Sequence, residues 1–180
     1  MYAHISYPSL FKWTRIILFE FFASFFFTYG VMRTYFLPDG THNFAHSGSI
    51  SLIMFFVLCL CGQITGAHAN PIITLALMFT KGTKINLIYG AIYIVSQFLG
   101  SFAGAATGRR DIIIAYGVVD KFSAARPVKG YSEAQTFGGE IIGSFLFILF
   151  LLIVVNNTTT FLKSNFWNYM LVPIIFYICR

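Results

Sequence analysis

Long apolar runs alternate with short polar breaks along this chain of 180 residues. A helix that crosses a bilayer needs about 20 mostly apolar residues, and that length sorts the runs. A first span is expected from about Thr14 to Phe36, carrying Glu20 and Arg33. Leu37-Pro38-Asp39-Gly40 then reads as a turn. A second span is expected from about Ser47 to Gln63, a third from about Asn86 to Gly108 and a fourth from about Thr136 to Val155. Between the third and fourth, residues 109–135 read as a charge-rich connection. Asn156-Asn157 ends the fourth span, and a fifth would begin near Asn165. From there to Arg180 the chain reaches about 24 Å as a helix, against a hydrocarbon core of about 30 Å.

One break falls where a loop is hard to accommodate. Gly66-Ala67-His68-Ala69-Asn70-Pro71 separates the apolar run Ser49–Cys61 from the apolar run Ile72–Phe79. Irregular backbone at membrane depth is tolerated only when it is buried in protein or lines a wet cavity. Asn70 is a good helix N-cap, and Pro71 suits the first helical position because its missing N–H was unpaired there anyway. The pattern predicts a re-entrant loop over residues 62–79 whose half-helix, about 15 Å long, covers half the hydrocarbon core. Its positive dipole end would point at the bilayer midplane, an arrangement that builds solute pathways. Lys81 and Lys84 mark the return to water.

Composition changes the picture by exclusion. The chain is 57% hydrophobic and 10% charged, with mean hydropathy +0.75, whereas soluble domains carry about 25% charged residues. This reads as an all-α polytopic membrane protein of about five transmembrane helices and one re-entrant half-helix, a single membrane domain over residues 1–180. The net charge of +6 is scattered, with no basic patch that would suit nucleic acid. Cys59, Cys61 and Cys179 have no metal or redox spacing, and His68 has no second ligand nearby. No nucleophile–base pair or phosphate loop appears, so no enzyme, metal or cofactor is expected.

An internal repeat adds to this. Glu20-Phe21-Phe22-Ala23-Ser24-Phe25-Phe26-Phe27 matches Glu140-Ile141-Ile142-Gly143-Ser144-Phe145-Leu146-Phe147 at an offset of 140 − 20 = 120. The paired Glu carries the weight, because an intramembrane carboxylate is rare and costly. The chain divides as a first repeat over 1–110, a connection over 111–135 and an incomplete second repeat over 136–180. Three spans in the first repeat would invert the second. The same offset from Asn70 places a second Asn-Pro break near position 190, beyond Arg180.

These residues carry a family resemblance. From about Trp13 to Leu151 the chain resembles the aquaporins, the major intrinsic protein family. The match is densest over Gly62 to Ala76 and continues through Ser96-Gln97-Phe98-Leu99-Gly100-Ser101-Phe102-Ala103-Gly104-Ala105. The resemblance implies an hourglass pore in which two half-helices meet and aim Asn amides at the permeating molecule. Asn70 would supply one amide, and Gly66, Ala67 and His68 would lie in the re-entrant loop. Glu20 and Glu140 look like the family's buried carboxylates, which brace such loops by accepting backbone N–H bonds. On span three, Gly90, Gly100, Gly104 and Gly108 point to close packing against a neighbouring helix, with Gln97 bonding inward.

There are departures. Ile72 stands where the family usually has Ala, and the family's aromatic filter position falls near Ile50, which is aliphatic. The second Asn-Pro break, the filter Arg and the sixth span have no place before Arg180. The expectation is therefore a degenerate, non-conducting structural subunit of a larger assembly, with other membrane subunits and lipids covering its open face. The alternative is a water or small neutral solute channel whose missing half comes from another chain or a second copy, a homo-oligomer. If the structural reading holds, an organelle membrane, the mitochondrial inner membrane, is the expected home. The bases near the span ends, five against six, do not settle orientation. Family analogy places the N-terminus inside.

Overall fold

The computed structural model describes residues 9–34, 42–80, 85–117, 130–156 and 165–178. All regular structure among them is helical: α1 Ser9–Thr34, α2 His42–Thr65, α3 Pro71–Met78, α4 Leu87–Tyr116, α5 Glu133–Asn156 and α6 Asn165–Ile178. α1, α2, α4 and α5 are each long and apolar enough to cross a membrane. The chain is an all-α polytopic membrane protein. α6 stands where a fifth span is expected, but its 14 residues, which include Pro173, are fewer than a span needs.

The helices begin and end for local reasons. Asn86 caps α4, its Oδ1 accepting from the Tyr89 N–H at 2.9 Å. α4 then runs past the expected end at Gly108, and residues 109–116 of the expected connection are helical. No strong breaker occurs until Gly117, whose φ of 64° stops the helix while its N–H still reaches Ile113 O at 2.9 Å. α5 starts with a reciprocal cap. Ser132 Oγ accepts from the Gln135 N–H at 3.2 Å, and Gln135 Oε1 accepts from the Ser132 N–H at 2.9 Å. The expected turn at Leu37–Gly40 and the return to water at Lys81 and Lys84 lie outside the described residues.

Two compact units divide the chain, Met1–Gly108 and Arg109–Arg180. The first contains α1, α2, α3 and most of α4. Its buried side chains include Ala23, Ile50, Met54, Val57, Leu58, Ile73, Leu77 and Tyr93. In the second unit α5 and α6 pack together, Phe147 meeting Phe176 edge-on at 5.2 Å between ring centroids. Leu151, Val154 and Val172 are buried with them.

Glycines set how closely α4 approaches α1. A Cβ on Gly100 would collide with the Phe21 carbonyl oxygen, and one on Gly104 with the Phe25 carbonyl oxygen. Gly108 lies against the Met32 side chain. Gly90 has a different neighbour, the Met78 thioether at the end of α3. The glycine stripe thus brings two backbones into contact, as small residues do in membrane helix pairs. Gly100→Leu should lower the apparent unfolding free energy in detergent by about 3 kcal/mol or more, because rigid backbone cannot yield as a side chain can. Gly48→Ala, which meets nothing within 4 Å, should leave the thermal transition in place. Equal behaviour of the two variants would refute the close-contact account.

Candidate functional site

α3 begins inside the first unit because residues 66–70 supply what a buried helix start needs. Asn70 is extended (φ −152°, ψ 124°), and its side chain accepts from the Ile72 N–H at 2.9 Å. Pro71 follows at the first helical position. Backbone bonding continues from the Thr74 N–H to Asn70 O at 3.2 Å. With the Asn70 Oδ1 engaged as the cap, the amide –NH2 is left as a donor at the positive end of the helix.

The preceding loop is strained and tightly held. Gly66, Ala67 and Ala69 all have positive φ, at 93°, 47° and 47°. The left-handed region suits Gly66 but costs an alanine about 1–2 kcal/mol. Hydrogen bonds offset this. Glu20, fully buried on α1, accepts at Oε1 from Thr65 Oγ1 (2.6 Å) and the His68 N–H (3.1 Å). Its Oε2 accepts from the Ala69 N–H (3.0 Å) and Gln97 Nε2 (2.8 Å). The Ala67 N–H donates to Thr65 Oγ1 at 3.2 Å. A carboxyl group taken out of water is costly unless its lone pairs are filled, and four donors fill them here.

A second ring of contacts closes behind the first. Gln97 Nε2 also donates to Thr74 Oγ1 at 2.9 Å, and His68 Nδ1 lies 3.1 Å from the same hydroxyl. The His68 ring stacks on Tyr93 with centroids 4.6 Å apart, while the Tyr93 hydroxyl donates to Thr65 O at 2.6 Å. Thus α1, α2, α4, the loop and α3 all contribute to one buried polar cluster. Thr65, Thr74 and Tyr93 belong to it although sequence reasoning gave them no role. Thr65 and Thr74 stand inside the motif-like run, but Tyr93 carries no sequence signal beyond its place on an apolar helix.

The other sequence-expected residues separate. Gly66, Ala67, His68, Asn70 and Pro71 form the loop and helix start just described. Ile72 is half exposed, on the side of α3 opposite the buried Ile73, Thr74 and Leu77. Ile50, expected at a filter position, is fully buried. It faces protein rather than an open path, because the α2 face that carries it also carries buried Met54, Val57 and Cys61. Glu140, expected to be a buried brace, is exposed on α5. Among the described residues there is no second re-entrant loop for it to hold.

A polytopic bundle in which a capped half-helix enters at a braced, strained loop defines a membrane protein of the re-entrant-helix class. The sequence model of the major intrinsic proteins matches residues 8–179, and the chain belongs to that family. It is similar to a probable aquaporin PIP2-7 of Oryza sativa subsp. japonica, 38% identical over 95 residues, which are 52% of this chain and 31% of that protein. Longer alignments join it to a probable aquaporin PIP2-6 of the same organism and a probable aquaporin PIP2-8 of Arabidopsis thaliana. Each is 28% identical over 148 residues, covering 77% of this chain and 51% of the relative. The chain spans about half the length of the curated relatives it matches, or less.

The two carboxylates separate by experiment. Glu20→Gln would turn an amide –NH2 toward donors, removing at least two acceptor contacts. It should cost about 3 kcal/mol or more and speed hydrogen exchange at residues 66–69. Glu140→Gln should stay within about 0.5 kcal/mol of the parent. Thermal unfolding in detergent and exchange mass spectrometry read both, and indistinguishable variants would contradict the brace.

Proposed function

We propose that this chain forms part of the wall of a transmembrane path for water or small neutral solutes. The observation that carries the reading is Asn70. Its carbonyl oxygen is tied to the Ile72 N–H at 2.9 Å, so its amide is presented as a donor at the positive end of α3. Such a donor orients an oxygen acceptor and, with the helix dipole, disfavours cations. The named relatives are aquaporins, which supports the same reading.

The half-exposed side of α3, with Ile72 and Leu75, needs a partner surface to close the path. That surface comes from a further segment, from another chain or from a second copy of this one. The opposed expectation, a non-conducting accessory subunit, rests on Ile72, on the aliphatic Ile50 and on the second Asn-Pro break having no place before Arg180, and draws no support from the comparisons. The expectation of an organelle membrane draws none either. The reading requires only a bilayer between two aqueous compartments.

Stopped-flow light scattering of osmotically shocked proteoliposomes tests the function. Vesicles holding the folded chain should shrink faster than empty ones, Asn70→Ala should abolish the difference, and Ile72→Ala should preserve or increase it. A folded, inserted chain that shrinks no faster than empty vesicles, alone and with a family half-channel supplied in trans, would reject the conducting reading.

A further inference from the structure

Thr74 is the point at which the buried polar cluster reaches Asn70. It is fully buried on α3, one helical turn past Asn70. Its hydroxyl oxygen lies 2.9 Å from Gln97 Nε2, 3.1 Å from His68 Nδ1, 3.3 Å from Asn70 O and 3.4 Å from Gln97 Oε1. A hydroxyl has one hydrogen to give and two lone pairs to fill. The directions of these bonds therefore constrain one another.

Gln97 fixes the first direction. Its Nε2 faces Glu20, whose Oε2 accepts from it at 2.8 Å. The other amide hydrogen goes to Thr74 Oγ1 and fills one lone pair. His68 fixes the second. Its ring is 2% exposed and stacked on Tyr93, and its Nε2 is buried with no partner among the described residues. A proton on Nε2 would be a buried donor with no acceptor. Among backbone groups, an orphaned buried N–H is rarer than an under-used acceptor, and the same preference leaves Nε2 bare. The ring proton then sits on Nδ1 and points at Thr74 Oγ1, filling the second lone pair. With both lone pairs filled, the Thr74 hydrogen turns to the nearer carbonyl oxygen, that of Asn70. A bare Nδ1 would be a closer acceptor and would draw that hydrogen away from Asn70.

We propose that Thr74 is the positioning residue for Asn70, its hydroxyl hydrogen directed onto the Asn70 carbonyl by Gln97 and by His68 in the Nδ1–H form. Asn70 O also receives the Thr74 N–H at 3.2 Å. One residue thereby holds the Asn70 peptide twice, while the Asn70 side chain is tied at the Ile72 N–H. That the Asn70 amide serves a permeating molecule rests on the function proposed above. How the Asn70 peptide is held does not.

Nitrogen-15 solid-state NMR of the chain in bilayers reads the tautomer. His4→Gln, His42→Gln and His46→Gln leave His68 as the sole histidine of four. The ring nitrogen bonded to Cγ should carry the proton, and the one bonded to Cδ2 should be bare. Thr74→Val removes the hydroxyl at nearly constant volume, so the Nδ1–H form should lose its dominance. In the chain with all its histidines, the same change should speed amide exchange at Ile72 several-fold. Thr74→Ser should restore both readings, a rescue that general loosening of the fold would not give. A proton on Nε2 before any change at Thr74 would overturn the proposal, and that result does not depend on a Thr74 variant folding. So would a folded Thr74→Val whose ring form and Ile72 exchange match those of the parent. None of these readings requires transport. If proteoliposomes shrink no faster than empty vesicles while the tautomer and exchange results hold, the conducting reading falls and the positioning role stands.

Discussion

The buried centre of the first unit depends on one carboxyl group being fully satisfied. Glu20 accepts four hydrogen bonds, two from loop N–H groups, one from Thr65 and one from Gln97. Without them the loop could not hold two alanines in the left-handed region or start a helix away from water. The same four bonds allow a carboxyl group to exist on a membrane helix at all. The carboxyl and the loop are each unfavourable alone and compatible only together. The helix start at Asn70 follows from that pairing.

The pairing in turn needs helices set at the right distance. Glu20 comes from α1 and Gln97 from α4, and they meet because Gly100 and Gly104 let the α4 backbone reach the Phe21 and Phe25 carbonyls. Tyr93, one turn before Gln97, supports Thr65 and the His68 ring from the same helix. One face of α4 therefore does two jobs, close packing through its glycines and polar support through Tyr93 and Gln97.

Much of this was legible in the chain. Apolar run length located the spans, and Asn70-Pro71 located α3 to within a residue at its start. The glycine spacing identified α4 as a close-packing helix, although not its two separate neighbours. Other features were legible and missed. The absence of a breaker between Gly108 and Gly117 carries α4 through residues 109–116, and Ser132 with Gln135 is a readable cap. The polar cluster was not legible as a whole, because its members lie up to 77 residues apart and only folding brings them together. Glu140 copies the neighbours of Glu20 yet is exposed on α5, because burial is conferred by what packs on a residue, and the loop it is expected to brace falls near position 190, outside this sequence.

The backbone contact between α1 and α4 also has a mechanical side. Two helices in such backbone contact behave as a single stave, since sliding one past the other would carry residues with a Cβ into the places at the Phe21 and Phe25 carbonyls that only glycine fits. Membranes differ in thickness, and spanning helices adapt by tilting. A fused stave can tilt only as a unit, carrying Glu20 and Gln97 with it at constant separation. The loop they hold therefore keeps its shape as the surrounding lipid changes. Gly100 and Gly104, the two glycines of α4 that meet the α1 backbone, give the site at Asn70 a frame that resists shear.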